Sequence, residues 1–262
     1  MKIRIFAALT VLALASLACS FSMAPVNIDT DKIVEDITTR IPDGIQGSGN
    51  LVTESYPVSG YDQIHFGGMG KLNLVQGDEE GVTLEIDDNL LPYVIVEVRG
   101  STLNIEFEKN FTITGTSHIE FTVKVKDLKS LELAGFGDVQ AEKLQADDLS
   151  LTLSGAGNLE VDDLQAQSVD MRLSGFGAMR LQGQVESQNV TLSGAGDYQA
   201  GKLQSAKAEV RLSGFGNATL WVTDELAVDL TGSGNMEYYG TPKVTRQNVD
   251  GFGRVQSLGS QP

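Results

Sequence analysis

Hydrophobic and polar side chains alternate along most of this chain. Residues 72–74, 82–86, 94–98, 103–107 and 119–125 carry apolar side chains at every second position, the period of a strand with one buried face. Arg99-Gly100-Ser101, between two of these runs, predicts a hairpin turn, and residues 87–93 a helical turn. From Leu131 the alternation is punctuated by a small glycine motif that recurs seven times. The copies are Gly135-Phe136-Gly137, Gly155-Ala156-Gly157, Gly175-Phe176-Gly177, Gly194-Ala195-Gly196, Gly214-Phe215-Gly216, Gly232-Ser233-Gly234 and Gly251-Phe252-Gly253, with first glycines 20, 20, 19, 20, 18 and 19 residues apart. A unit of this length cannot bury its own apolar face, so a fixed period of such units predicts a stacked solenoid. Phe66-Gly67-Gly68-Met69-Gly70 reads as an early, degenerate member of the same column.

Side chains alternate across a strand. Leu131, Leu133, Gly135, Gly137, Val139 and Ala141 therefore share the inner face, while Glu132, Ala134, Phe136 and Asp138 point out. Glycines on the inner face would let the backbone bend around a narrow core. Leu144, Leu164 and Leu203, then Leu149, Val169 and Ala208, recur further along their coils, which predicts about three short strands per coil. The fold class is all-β: a parallel β-helix with coils of about 20 residues stacked about 4.8 Å apart. One solenoid domain is expected over 48–262, with an irregular first half (48–130) that caps the stack and regular coils over 131–258.

The outward positions beside the glycines form columns. One reads Ala134, Ser154, Ser174, Ser193, Ser213, Thr231, Asp250; the next reads Phe136, Ala156, Phe176, Ala195, Phe215, Ser233, Phe252. Large and small residues alternate in adjacent coils, so each ring lies over a small neighbour. Phe136, Phe176, Phe215 and Phe252, with Ser154, Ser174, Ser193 and Ser213 beside them, are the candidate ligand-binding residues, because sugar rings stack on exposed aromatics. The competing and more economical expectation is that a glycine bulge turns these phenylalanines inward as packing. Aspartate or asparagine after the second glycine is read as a turn former, and Asp147-Asp148 and Asp162-Asp163 as solvated turns with at most a weak claim on a cation.

Met1-Lys2-Ile3-Arg4 followed by an apolar run of 13 residues, Ile5 to Leu17, has the layout of a signal peptide (1–18) and is too short to span a bilayer, which takes about 20 residues. Ser16-Leu17-Ala18-Cys19 resembles the lipobox of bacterial lipoproteins, which implies lipidation at Cys19 and a tether over 19–47. Cys19 is the only cysteine, so no intrachain disulfide forms. The net charge of −16 repels nucleic acid and leaves cations, basic proteins or neutral glycans as partners. With only His65 and His118 there is no material for a histidine metal cluster or a Ser-His-Asp set, no glycine motif has dinucleotide-fingerprint spacing, and neither cofactor nor catalytic activity is expected.

The succession Leu-Ser-Gly-x-Gly-Asp/Asn, the opening Tyr61-Asp62-Gln63-Ile64-His65-Phe66 and Tyr239-Gly240-Thr241-Pro242 resemble the family of putative autotransporter adhesins, head GIN domain, over about 56–259. The resemblance implies a right-handed parallel β-helix in secreted or lipid-anchored bacterial envelope proteins. The expected function is a non-catalytic binding or adhesion module, held to the cell membrane or outer membrane by its lipid, for glycans or another envelope component. The rival is a structural envelope protein that assembles as a homo-oligomer; a polysaccharide-active enzyme is the remote third.

Overall fold

A computed structural model describes residues 44–109, 112–115 and 117–261. The chain divides into two units, 1–43 and 44–262, and all of these residues belong to the second. The signal segment, Cys19 and the tether as far as residue 43 lie outside the described residues.

Sixteen strands form one sheet that winds around a single core: β1 (Leu51–Tyr56), β2 (Gln63–Phe66), β3 (Met69–Gln76), β4 (Gly81–Asp87), β5 (Val94–Arg99), β6 (Thr102–Phe107), β7 (Ile119–Val125), β8 (Ser130–Leu133), β9 (Phe136–Leu153), β10 (Ala156–Leu173), β11 (Phe176–Leu192), β12 (Ala195–Leu212), β13 (Ala218–Leu230), β14 (Met236–Tyr239), β15 (Lys243–Val249) and β16 (Val255–Gly259). This is the all-β solenoid of about six turns that the repeat period predicts. The expected hairpin turn joins β5 to β6, and a single 3₁₀ turn, Leu91–Tyr93, stands where the sequence predicts a helical turn.

Each of the coils β9 to β12 is one strand of 17 or 18 residues, not three short ones. Pairing continues around the corners because neighbouring coils slip register there without parting, as between Val161 and Leu164. Within β9 to β12 the chain leaves strand geometry only at the Leu-Ser-Gly corner. There the N–H groups of Ser154 and Gly155 both donate to the Leu133 carbonyl at 3.0 Å, and the same fork recurs at each later corner as far as Thr231 and Gly232 on Leu212. Val139, Leu144, Leu149, Leu151 and Leu153 point inward over Leu159, Leu164, Val169, Met171 and Leu173, all buried.

The glycines answer to the neighbouring coil and not, as expected, to the width of the core. A Cβ on Gly155 would stand 2.0 Å from the Gly135 carbonyl oxygen, one on Gly175 1.9 Å from that of Gly155, and one on Gly157 1.7 Å from that of Gly137. Two glycine columns thus run the length of the stack, each residue leaving room for the carbonyl of the coil before it. Gly68 and Gly70 stand under Gly135 and Gly137 in the same way, so Phe66–Gly70 begins the columns.

The first half differs from a plain succession of coils. β2 and β3 stack on β8 and β9, but β6 and β7, later in sequence, stack on the far side of β2 and β3. β5 then pairs antiparallel with β6, β4 with β7, and β1 with β4. Antiparallel β4 brings Leu84 and Ile86, and the turn after it Leu90, over the end of the core, where they are fully buried, and so close it. The tether gives way before its expected end at residue 47. Ile45 bridges to the strand-like segment at Ile113, and the buried Asp87 carboxylate accepts the backbone N–H of Gly49 at 2.7 Å and of His118 at 3.0 Å.

Candidate functional site

The middle residue of each Gly-x-Gly sits on a backbone that the preceding coil fixes. The N–H of Phe136 donates to the Gly68 carbonyl, that of Ala156 to Gly135, that of Phe176 to Gly155, and so on to Phe252 on Gly232, at 2.9–3.1 Å. With carbonyls packed against both flanking glycines there is no space for the bulge that would turn the ring inward. The packing expectation is therefore overturned: Phe136, Phe176, Phe215 and Phe252 are 68, 66, 78 and 97% exposed. They stand on alternate coils, two coil spacings or about 10 Å apart, with Ala156, Ala195 and Ser233 between them. Met69, partly buried against the core, occupies the column's first position.

Two residues before each middle position come Ser154, Ser174, Ser193 and Ser213, all exposed. The Ser154 hydroxyl donates to Glu132 at 2.9 Å, and Glu132 in turn lies 3.1 Å from His65 Nδ1, with Glu106 3.5 Å from the other ring nitrogen. The serines and rings together make a strip of hydroxyls beside a broken line of aromatic faces. The other histidine, His118, stands 2.8 Å from Glu85.

On the opposite flank of the rings the Asp/Asn column does something that turn chemistry did not suggest. Asp138 Oδ1 accepts both the backbone N–H and the side-chain amide of Asn158, at 3.1 and 2.8 Å, and Asn158 Oδ1 accepts the N–H of Ala178 at 3.2 Å. After the alanine the ladder restarts: Asp197 holds Asn217, and Asn217 holds Asn235, by the same two bonds. These side chains link coils and do not form turns, because each supplies the acceptor for a backbone N–H one coil further on.

Beyond this ladder lies a groove of about 680 Å³ whose lining includes Arg180, Gln199, Lys202, Asn217, Thr219 and Tyr239. The Tyr239 ring covers Gly201, where a Cβ would sit 3.3 Å from it. Sequence reading missed this groove, although its signal was present in the shortest repeat. Where the period drops to 18, β13 passes from Leu220 to Trp221 while β12 takes three additional residues between Ala200 and Gln204, so β12 protrudes and leaves a recess.

The acidic pairs do not meet. Register sets Asp148 against Ser168, whose hydroxyl it accepts, and Asp163 against Lys143. Among the described residues no group of three or more His, Cys, Asp or Glu side chains is placed to hold a metal ion, and no helix is long and apolar enough to cross a membrane.

The family model for "putative auto-transporter adhesin, head GIN domain" matches residues 60–242. No curated protein matches the chain. Among solved structures, a putative adhesin from Bacteroides fragilis NCTC 9343 superposes with a TM-score of 0.78 at 24% identity, covering 82% of this chain and 100% of that one. A putative adhesin from Parabacteroides distasonis ATCC 8503 gives 0.66 at 24% identity over 82% and 100%. A putative lipid binding protein from the same organism gives 0.63 at 22% identity over 82% and 99%. At these identities the likeness is one of fold.

Proposed function

The chain belongs to the family of putative auto-transporter adhesins with a head GIN domain, and from that premise we propose that it is a non-catalytic adhesion module whose contact surface is the phenylalanine strip. The family name points to a surface-exposed protein, and the lipobox-like Ser16-Leu17-Ala18-Cys19 supports its attachment by a lipid at Cys19. The observation that carries this reading is the exposure of four rings on alternate coils. A soluble protein rarely leaves aromatic side chains in one line facing water unless something covers them. The ligand class the strip fits best is a glycan, since the apolar face of a sugar ring stacks on an aromatic ring while its hydroxyls reach Ser154, Ser174, Ser193 and Ser213.

The experiment compares residues 44–262 with a variant in which Phe136, Phe176, Phe215 and Phe252 are all serine, on an array of glycans and envelope polysaccharides. Among the described residues every core residue lies between Ile45 and Val255, within the compact unit 44–262, so this fragment carries that core. Binding by the parent and its loss in a variant with unchanged circular dichroism is the expected result. Equal binding by both proteins, or none by the parent, would remove the strip as a glycan site.

A further inference from the structure

Each coil of the stack buries its inward side chains between two neighbours, and the last coil has one. By register Val244 stands against Leu226 and Val249 against Leu230, positions fully buried in β13. Yet Val244 and Val249 are 38 and 40% exposed. All seven residues of β15 are exposed; β15 pairs only with β13, and β16 only with β14. Among the described residues the outer edges of both strands thus carry unpaired backbone groups beside an open core. At the other end β1 and β5 are also edge strands, but there the core beneath is closed, with Leu84, Ile86 and Leu90 fully buried.

An unpaired edge next to open apolar core is a template for another chain. We propose that this end docks against the same end of a second copy, forming a twofold dimer. Charge is the first reason to choose a second copy. Residues 237–262 hold Lys243, Arg246 and Arg254 against Glu237 and Asp250, a net of 3 − 2 = +1, so the rest of the chain carries −17 of the total −16. The rest of the chain is strongly acidic and repels its like, whereas this end meets its copy almost without repulsion. Arg246 also turns back onto its own body, 2.5 Å from Glu209 and 2.9 Å from Asp229, so the middle of β15 presents no free cation to the partner.

Geometry is the second reason. Two identical edges facing across a twofold axis run antiparallel, and each supplies the donors and acceptors that the other lacks. The same contact covers Val244 and Val249 and brings the end of one ring column, Phe252, towards the end of the other. This inference stands on the open end alone and does not depend on what the strip binds.

The test is sedimentation of residues 44–262 over a wide concentration range, for the parent and for a Val244→Glu/Val249→Glu variant, with hydrogen exchange followed in β15. The expected result is a dimer whose β15 amides exchange faster on dilution. The variant, folded by circular dichroism, should dissociate at roughly tenfold higher concentration or more, a change of about 1.4 kcal/mol. If the variant fails to fold, Gln247→Lys, which register sets against the buried Val228 on the same open end, gives the same comparison. A parent that stays monomeric at every concentration overturns the proposal, as do particles larger than two copies or a dimer that both variants leave intact.

Discussion

The phenol of Tyr198 donates a hydrogen bond to Oε1 of Gln188 at 2.9 Å, with both side chains buried inside the solenoid. Gln188 Nε2 donates in turn to the Ser205 hydroxyl at 2.8 Å, and Ser205 to the Trp221 carbonyl at 3.1 Å. Neighbouring coils place Met179 beside Tyr198, and Val169 beside Gln188. Three polar residues from different parts of two coils therefore form one closed chain of bonds in an otherwise aliphatic core. Such a chain is stable only when complete.

Removing the phenol should break it. Tyr198→Phe leaves Gln188 Oε1 buried without its donor, and a loss of about 1–3 kcal/mol is expected. Chemical denaturation of residues 44–262 measures it; a loss near zero would mean that water reaches the carboxamide.

The same phenol sets an alkaline limit. Burial pushes its pKa above the ordinary tyrosine value, so it stays protonated in the fold while the unfolded chain ionises near pH 10. The contribution is whole below pH 10 and declines above it, by about 1.4 kcal/mol per pH unit. Tyr56 and Tyr61 are raised as well, largely by burial, so the readout is the difference between the parent and Tyr198→Phe in stability curves from pH 8 to 11. The gap in slope should open only above pH 10.

Gly175→Ala should cost at least about 3 kcal/mol, the upper end of overpacking, because its Cβ would stand 1.9 Å from a backbone oxygen that hydrogen bonds hold in place. Gly77→Ala, where a Cβ meets nothing within 4 Å, should change stability by less than about 0.5 kcal/mol. Thermal melts of the two variants side by side test whether the columns are spaced by contact between coils; equal melts would refute it.

Asp197→Ala withdraws the acceptor of both the Asn217 N–H and its side-chain amide. The expected loss is about 1 kcal/mol, with faster hydrogen exchange at Asn217 and little change at Asn158, whose ladder lies on the other side of Ala178. Exchange that rises equally at both sites would mean that the two ladders act as one.

Much of this molecule is written in neighbouring residues, and the rest in residues a coil apart. Alternation along Leu131–Leu133 and Leu151–Leu153 places the inner face, and the glycine period gives the coil. Parity also puts Phe136 outward, but it cannot by itself refuse a bulge. What refuses it is the Gly68 carbonyl, which belongs to another part of the chain. Tyr198, Gln188 and Ser205 each look like a lapse in the pattern until the fold brings them together. The order of β6 and β7 beyond β2 and β3 is likewise silent in the sequence, since a strand alternates in the same way whichever neighbour it finds and in whichever direction it pairs.

The alternation of rings and small residues sets a unit of length different from the coil. Phe136, Phe176, Phe215 and Phe252 are separated by 40, 39 and 37 residues, two coils each time. Adding or deleting a single coil would bring two rings within one spacing of about 4.8 Å, or leave a gap of small side chains where a ring should stand. Adding or deleting a pair leaves the rhythm untouched. A stack of this kind can change its reach in evolution without disturbing its surface only by even numbers of coils.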